Sequence, residues 1–108
     1  MEQLSIVEKR GANYILFELT GSCNSYNIDE LQNRVFEEIK TSNVVLDLSQ
    51  ISHIDSTGVG MLFAAFNDSL ESGKKLYLMN MSFNAMNTVK ETGFLEAFNV
   101  IQSVTEVQ

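Results

Sequence analysis

One stretch, residues 44–66, limits the fold of this chain more than any other. It opens with a short and nearly continuous apolar run rich in β-branched residues, which is typical of a strand buried on both faces of a parallel sheet. It closes with apolar residues at helical spacing. Between the two lie Asp55, Ser56 and Thr57, whose side-chain oxygens are of the kind that cap helix N-termini. The pattern therefore predicts a buried strand, a polar turn and a helix that begins at Ser56.

Two glycines, Gly58 and Gly60, fall at the start of the predicted helix. A glycine inside a helix costs about 1 kcal/mol relative to alanine, so each needs a physical reason. One reason is a bare helix end that a partner chain or a phosphate donor can approach closely. The other is close packing of the helix against the sheet. The sequence leaves both explanations open.

Composition predicts a single folded domain over residues 1–108. Hydrophobic residues make up 44% of the chain, which is enough for a core and excludes a disordered chain. No apolar run has transmembrane length, the opening residues carry no signal-peptide pattern, and the single cysteine, Cys23, excludes an internal disulfide. We therefore expect a cytoplasmic protein with no membrane insertion.

The distribution of charge excludes some classes of partner. The net charge is −7, and no Lys or Arg occurs from Thr41 to Gly73. Nucleic acids and anionic membranes are bound by basic clusters, so we expect no direct contact with nucleic acid or with a membrane surface. A basic protein partner fits better, although an acidic balance also keeps an ordinary domain soluble.

The first part of the chain predicts a hairpin and a helix. Residues 3–8 and 13–19 read as strands joined by a short turn, which indicates an antiparallel hairpin. Residues 21–27 form a polar loop, at whose end Asn27 is placed to cap a helix, with Glu30 reaching back in a capping box. The apolar face of this helix would consist of Ile28, Leu31, Val35, Phe36 and Ile39.

The last part of the chain predicts further alternation of helix and strand. The central helix is expected to run to about Ser72, with Gly73 as its C-cap. Residues 76–79 read as a buried strand and residues 100–101 as a last short strand. Ser82 is placed to cap a third helix. The inward face of that helix would comprise Phe83, Met86 and Val89.

Together these elements predict an α/β fold with a mixed sheet of four to five strands. An N-terminal antiparallel hairpin leads into right-handed βαβ crossovers, and the helices pack on the sheet. Binding sites in such sheets lie beyond the carboxyl ends of the strands. We therefore expect the turn at residues 55–60 at that edge, with the loop at residues 21–27 beside it.

The sequence offers little support for enzyme chemistry. His53 lies close to Ser56, but Ile54 stands where a nucleophile elbow needs glycine. Phe63 replaces the third glycine of a dinucleotide fingerprint, and no phosphate-loop pattern occurs. One His and one Cys give no zinc spacing. We predict no enzyme activity, no metal and no cofactor, and keep a small hydrolase or nucleotide-binding enzyme as a remote alternative.

Phosphorylation of Ser56 is the chemistry that remains. A helix N-terminus accepts a phosphate through its free N–H groups and the positive end of its dipole. The modification would add nearly two negative charges to a surface that lacks cations. We expect it to leave the fold intact and to block a partner that docks there. Capping chemistry alone favours the simpler role, in which Ser56 is only an N-cap.

Several segments, taken together, resemble one known family. They are Leu19-Thr20-Gly21, Val44–Leu48, Asp55–Gly60, Gly73-Lys74 and Thr92–Leu95, and they span nearly the whole chain. The combination resembles the bacterial anti-sigma factor antagonist family, whose domain is the STAS domain. The Asp-Ser-Thr-Gly-x-Gly turn is specific when its neighbours also match, as they do here.

The resemblance implies partner switching in transcription regulation. In that family a partner anti-sigma factor is a serine kinase, which phosphorylates the Ser directly after the Asp. The unphosphorylated antagonist binds the anti-sigma factor and so frees the sigma factor, and a PP2C-type phosphatase resets the switch. Carried over by position, Ser56 is the phosphoacceptor in preference to Thr57, with Asp55 and Gly58 beside it. A monomer or a weak dimer is expected.

The resemblance also implies a docking face, made by the start of the central helix and the loop after the second strand. Its members would be Asn24, Asp55, Ser56, Thr57, Gly58, Val59, Gly60 and Met61. This loop departs from the family pattern. Many members carry Gly-Glu-(Leu/Ile)-Asp after the second strand, whereas this chain has Ser22 and Asn24 at the two acidic positions. The departure motivates an alternative, in which the protein is a non-switching STAS subunit of a transporter or signalling complex.

Overall fold

The computed structural model of the protein describes residues 3–108. Five strands and three α-helices follow one another along this part of the chain. They are β1 (Leu4–Arg10), β2 (Tyr14–Cys23), α1 (Ile28–Glu38), β3 (Asn43–Ile54), α2 (Ser56–Ser72), β4 (Leu76–Met79), α3 (Phe83–Glu91) and β5 (Asn99–Ile101). Two 3₁₀ turns, Leu95–Ala97 and Val104–Glu106, flank β5.

All five strands form one mixed sheet in the order β1-β2-β3-β4-β5. β1 and β2 are antiparallel and joined by a tight turn, in which the Gly11 N–H donates to the Tyr14 carbonyl over 3.0 Å. The later strands run parallel to their neighbours, because α1, α2 and α3 carry the chain back between them. The predicted mixed α/β fold, with its opening hairpin and its crossovers, is confirmed.

The helices cover one face of the sheet, where the larger part of the core lies. Fully buried members of this cluster include Phe17, Leu31, Leu46, Leu62, Leu78 and Val89. Alternate strand residues point to the other face, because successive side chains of a strand point in opposite directions. The smaller cluster on that face consists of Leu16, Val45, Tyr77, Met79, Ile101 and Val107. Burial on both faces explains why the central strands read as continuous apolar runs.

The chain after β5 returns across the second face of the sheet, and its last residues lie at the amino-terminal ends of the strands. Val107 is buried in the smaller cluster. The Asn43 side-chain amide donates to the Gln108 carbonyl over 3.1 Å, and the Gln108 N–H donates to the Tyr77 hydroxyl over 3.2 Å. Because Asn43 opens β3, this segment is fixed at the sheet edge remote from the carboxyl ends of the strands.

Strands β2 and β3 are longer than the sequence predicts. We expected strands at residues 13–19 and 44–48, but parallel pairing continues to Cys23 and Ile54. At two register shifts β3 has an extra residue relative to β2. These extra residues interrupt the alternation of buried and exposed side chains by which a strand is recognised in sequence. The predicted loop at residues 21–27 is correspondingly shorter, and β3 ends well beyond β4.

Helix α2 has the predicted bounds. It begins at Ser56 and ends at Ser72, and Gly73 follows in the left-handed conformation with φ of 77°. Glycine adopts that conformation without the strain that a Cβ brings, which makes it the usual helix C-cap. The predicted cap of α3 is also confirmed, because Ser82 Oγ accepts the Ala85 N–H over 3.2 Å.

The predicted capping box at the start of α1 is wrong. Asn27 stands at the N-cap position, but its side chain makes no capping hydrogen bond. Its Oδ1 accepts the Asn24 N–H over 3.0 Å, and its Nδ2 donates to the Ser22 carbonyl over 2.8 Å. The side chain therefore holds the preceding loop rather than the helix.

The predicted inward face of α3 is wrong at Phe83. This side chain is 80% exposed, whereas Ala85 and Val89 are buried and Met86 is half-buried. Residues one turn apart share a helix face, so Ala85 and Val89 point to the sheet together. A residue two positions before Ala85 points to the opposite side, and hydrophobicity alone does not show this.

Candidate functional site

A compact turn at Asp55 joins the end of β3 to α2. The Asp55 N–H donates to the Cys23 carbonyl over 3.0 Å, which ties the turn to the end of β2. The Asp55 carboxylate accepts the Gly58 N–H over 3.0 Å and is the N-cap of α2. The simpler role considered for Ser56 is therefore wrong, because the residue before it caps the helix.

Ser56 is the first residue of α2 and is exposed. Among residues 3–108, no hydrogen bond engages its hydroxyl, so this group is open to chemistry from solvent. Thr57 is exposed as well. Exposure alone therefore does not distinguish the two hydroxyls as acceptors of a phosphate.

The two glycines of α2 have different physical reasons. Gly58 is buried, and a Cβ added there would lie 2.6 Å from Ile54 Cγ1 and 3.2 Å from Cys23 Cβ. Close packing therefore excludes any larger residue. Gly60 is exposed, and a Cβ added there would meet nothing within 4 Å. Packing within the chain gives no reason for this second glycine.

The loop after β2 is held by side-chain amides. Asn24 Nδ2 donates to Ser22 Oγ over 3.0 Å, and Asn24 Oδ1 accepts the Tyr26 N–H over 2.9 Å. Ser22 and Asn24, the two residues at the acidic positions of the family pattern, thus bond to each other. Ser22 is buried, so this bond satisfies a hydroxyl that water reaches poorly. The Tyr26 side chain is 80% exposed in the same loop.

A shallow depression separates the start of α2 from the end of α3. It encloses about 290 Å³ and is lined by Ser56, Val59, Thr88, Glu91 and Thr92. The sequence does not single out the three residues contributed by α3 and its C-cap. No motif marks them, and only the packing of α3 beside α2 brings them next to Ser56.

The surroundings of Ser56 are acidic. Asp55 and Glu91 contribute carboxylates, and among residues 3–108 neither forms an ion pair. The basic side chains that form ion pairs in this part of the chain are Lys9, Arg10, Arg34 and Lys40, on β1 and around α1. These four cations thus pair elsewhere, and Lys90, the neighbour of Glu91, lines a different depression.

The thiol behind the turn is unreactive. Burial raises the pKa of Cys23 to about 11, and the negative charge of Asp55 adds to the shift. Because the thiolate is the nucleophile and the metal ligand, Cys23 does neither kind of chemistry near neutral pH.

The structure separates the predicted docking residues into exposed and buried ones. Ser56, Thr57 and Gly60 are exposed, and Asn24 and Asp55 are half-buried. The other three, Gly58, Val59 and Met61, are buried, with Met61 only 3% exposed. These three residues shape the helix end, and Val59 also lines the depression.

The geometry of the described residues does not support the enzyme or metal alternatives. His53 is exposed on β3, and among residues 3–108 no hydrogen bond joins it to Ser56 or Asp55. Within the same residues, no three His, Cys, Asp or Glu side chains are grouped as a metal site requires. No helix formed by these residues has the length and apolarity to cross a bilayer.

The fold, the capped serine turn and the sequence agree with one family model. The model of the STAS domain matches residues 3–107. The chain belongs to the STAS domain family. The resemblance inferred from the segments around Ser56 is thereby confirmed at the level of the family.

Several solved structures of other proteins have the same fold. An anti-sigma factor antagonist from Mycobacterium paratuberculosis has a TM-score of 0.82 at 12% identity, over 95% of this chain and 89% of that chain. The anti-sigma factor antagonist SpoIIAA in its unphosphorylated form has a TM-score of 0.78 at 14% identity, over 94% and 91%. The Bacillus cell fate determinant SpoIIAA in its phosphorylated form has a TM-score of 0.74 at 15% identity, over 94% and 95%. At these identities the similarity shows the STAS fold alone.

Proposed function

We propose that this STAS domain is an anti-sigma factor antagonist that is switched by phosphorylation of Ser56. Its unphosphorylated form binds an anti-sigma factor with serine kinase activity, and the sigma factor is released. The observation that carries the proposal is the exposed hydroxyl of Ser56, the first residue of α2. The residue before it, Asp55, caps the helix. Because Asp55 caps the helix, Ser56 can be modified without loss of that cap.

The reaction itself is a phosphoryl transfer from ATP bound to the partner kinase. Ser56 Oγ forms a bond to the γ-phosphorus, the bond to the β-phosphate oxygen breaks, ADP leaves, and the serine proton passes to a base on the kinase. The N-terminal position suits the product, because the positive end of the α2 dipole and the free N–H groups of its first turn favour an anion. This chain needs only to present the hydroxyl.

The same modification explains how docking is switched off. A phosphoserine adds nearly two negative charges beside Asp55 and Glu91. No Lys or Arg occurs between Thr41 and Gly73, so α2 itself offers no cation for a new ion pair with it. The phosphate therefore projects into the docking surface, where its charge and size oppose the partner. A PP2C-type phosphatase removes it by hydrolysis and restores the binding form, within the cytoplasm.

Two findings support this proposal. The chain belongs to the STAS family, and the similar solved structures include proteins named as anti-sigma factor antagonists. One of them, SpoIIAA, is named in an unphosphorylated and in a phosphorylated form. A phosphorylation switch is thus compatible with this fold.

The test begins with the protein isolated from its native cells. We expect phosphate on Ser56, with a kinase-like anti-sigma factor recovered mainly with the unphosphorylated form. The purified pair is then titrated by calorimetry with the wild type, Ser56→Asp, Ser56→Ala and Thr57→Val. Binding should fall at least tenfold in Ser56→Asp, and Ser56→Ala and Thr57→Val should retain it. Full affinity of Ser56→Asp, or phosphate on Thr57 alone, would contradict the switch at Ser56.

One observation favours a second candidate, a non-switching STAS subunit of a transporter or signalling complex. The hydrogen bond between Asn24 and Ser22 stands where many family members carry two carboxylates. A loop without those carboxylates suits a surface that binds permanently. Stable co-purification with transporter or scaffold subunits, with Ser56 unmodified under all growth conditions, would favour this candidate over the switch.

A further inference from the structure

The depression beside Ser56 continues along α2 as an apolar strip. Val59 lines the depression, and Phe63 follows it one turn later on the same helix face. Phe94 packs edge-on against Phe63, with ring centroids 5.8 Å apart. The Phe94 N–H donates to Thr92 Oγ1 over 3.1 Å, which links Phe94 to the wall of the depression. We call Val59, Phe63, Glu91, Thr92 and Phe94 the Phe94 groove.

Phe94 is a large apolar residue whose side chain is exposed to solvent. It is 59% exposed, whereas its neighbour Phe63 is half-buried. Phe98, whose ring lies 5.2 Å from that of Phe63, is buried. Large aromatic side chains that are held by neighbours yet remain exposed are the residues that most often anchor a protein interface. Phe94 thus ends an aromatic row whose last member faces outward.

The bare backbone at Gly60 is a second feature of this part of α2. It lies four residues after Ser56 and three before Phe63, so the three share one face of α2. A side chain here would meet nothing in this chain, yet alanine would favour the helix by about a factor of five in its equilibrium constant. A partner backbone that approaches α2 at this position supplies the missing reason for glycine.

The charge of the groove identifies the chemistry of its occupant. Glu91 lines the depression and Asp55 directly precedes Ser56, and among residues 3–108 neither carboxylate has an ion-pair partner. The nearby Lys90 lines a different depression, with Gly93, Leu95 and Glu96. A second copy of this chain would bring the same carboxylates face to face, because a two-fold interface pairs a patch with itself. The occupant is therefore a basic partner.

We propose that the Phe94 groove binds a segment of the anti-sigma factor that carries an apolar side chain next to a Lys or Arg. The apolar side chain enters between Val59 and Phe94, and the basic one pairs with Glu91. This inference rests on the proposed function, and it extends the docking surface from Ser56 along α2 to a residue of the α3–β5 connection.

The test uses the anti-sigma factor recovered with the wild-type protein, purified and titrated by calorimetry. Phe94→Ala is matched by Phe83→Ala, which removes a phenylalanine that is 80% exposed at the start of α3 and outside the groove. We expect about tenfold weaker binding for Phe94→Ala, as for an interface anchor, and less than twofold change for Phe83→Ala. Thermal melts of both variants check that the fold is retained.

Glu91→Gln tests the same groove without removing any packed side chain. We expect about threefold weaker binding at low salt, and a dissociation constant that rises less steeply with salt than that of the wild type. Wild-type affinity in both Phe94→Ala and Glu91→Gln, alongside lost binding in Ser56→Asp, would overturn the groove and leave the proposed function intact. Failure of the wild type to bind any anti-sigma factor would remove both proposals. If the wild type is a dimer and Phe94→Ala is a monomer, a second copy of this chain occupies the groove, which would contradict the inference.

Discussion

Gly58 and Gly60 are chemically identical residues two positions apart, and the structure predicts opposite effects for the same substitution. Gly58→Ala should lower the free energy of unfolding by about 1–3 kcal/mol, because its Cβ would press on Ile54 and Cys23, which are both buried. Gly60→Ala should raise it by up to about 1 kcal/mol, because a helical alanine replaces a helical glycine without any clash. Urea unfolding of the two variants measures both effects.

The glycine pair also separates stability from binding. If Gly60 is kept for close approach of a partner, Gly60→Ala should bind the anti-sigma factor less tightly although it unfolds less easily. A Gly60→Ala protein that is more stable and binds with unchanged affinity would show that this glycine serves no contact. Gly73→Ala is not a suitable control, because Gly73 has positive φ and alanine would be strained there.

Asn24 stabilises the loop beside the site through both ends of its amide. Asn24→Ala should lower the free energy of unfolding by about 1–2 kcal/mol, because Ser22 Oγ and the Tyr26 N–H both lose their partner. Asn67→Ala on the exposed face of α2 is the matched control, and we expect it to be neutral or slightly stabilising. Equal stability of Asn24→Ala and the wild type in urea unfolding would mean that water replaces these bonds at no cost.

The N-terminus of α2, where the candidate site lies, is capped by the Asp55 side chain. Asp55→Ala should lower the free energy of unfolding by about 1 kcal/mol, because the Gly58 N–H loses its acceptor. Asp55→Asn keeps a capping oxygen and should stay close to the wild type, since Asn caps as well as Asp. Chemical denaturation compares the three proteins, and equal losses in both variants would show that the charge, rather than the cap, stabilises the turn.

The elements that sequence could predict are those set by local chemistry. The bounds of α2 follow from its helical spacing, the polar turn before it and Gly73 after it, and all of these lie within the helix or next to it. The second half of β3 was missed because its pairing with β2 depends on backbone bonds across the sheet, which polar side chains such as Ser52 do not reveal. Phe83 was misplaced because the sheet, and not hydrophobicity, decides which face of α3 is inward.

At the scale of the whole molecule, a network of ion pairs joins the edge strand β1 to α1. Arg34 Nη2 lies 2.7 Å from Glu8 Oε1, and Arg10 Nη2 lies 2.7 Å from Glu38 Oε2. The hydrogen bond from Arg34, together with the charges of Arg10 and Arg34, lowers the pKa of Glu8 below its usual value of 4.5, against a smaller opposing effect of desolvation. The network places charged side chains on β1, and charges on an edge strand oppose its pairing with other chains.

The lowered pKa of Glu8 makes stability depend on acid. A carboxyl whose pKa is lower in the folded state binds protons more readily when unfolded, so its contribution is present above pH 4.5 and is lost as the pH falls through the folded pKa. We expect the free energy of unfolding to decline between neutral pH and pH 3, and Glu8→Gln to flatten that decline. Glu71→Gln, at an exposed position of α2, is the control. An unchanged decline in Glu8→Gln would assign it to other carboxyls.

Only part of the candidate site could be predicted from the sequence. Asp55 and Ser56 could be predicted because they lie in one short motif between a strand and a helix. Thr88 and Glu91 could not, because they reach Ser56 only through the crossover that lays α3 beside α2. The same applies to Phe94, whose contact with Phe63 joins residues from separate segments.

The position of Gln108 has a practical consequence for measuring these interactions. Its carbonyl is held by Asn43 at the first residue of β3, whereas Ser56 lies two residues beyond the last residue of that strand. The protein extends 35 Å along its longest axis, and β3 has 12 residues, so the two positions lie near opposite ends of the molecule. A fluorophore or surface tether attached at position 108, an exposed residue, would leave the start of α2 and the Phe94 groove facing free solution, and the protein would be immobilised in a defined orientation.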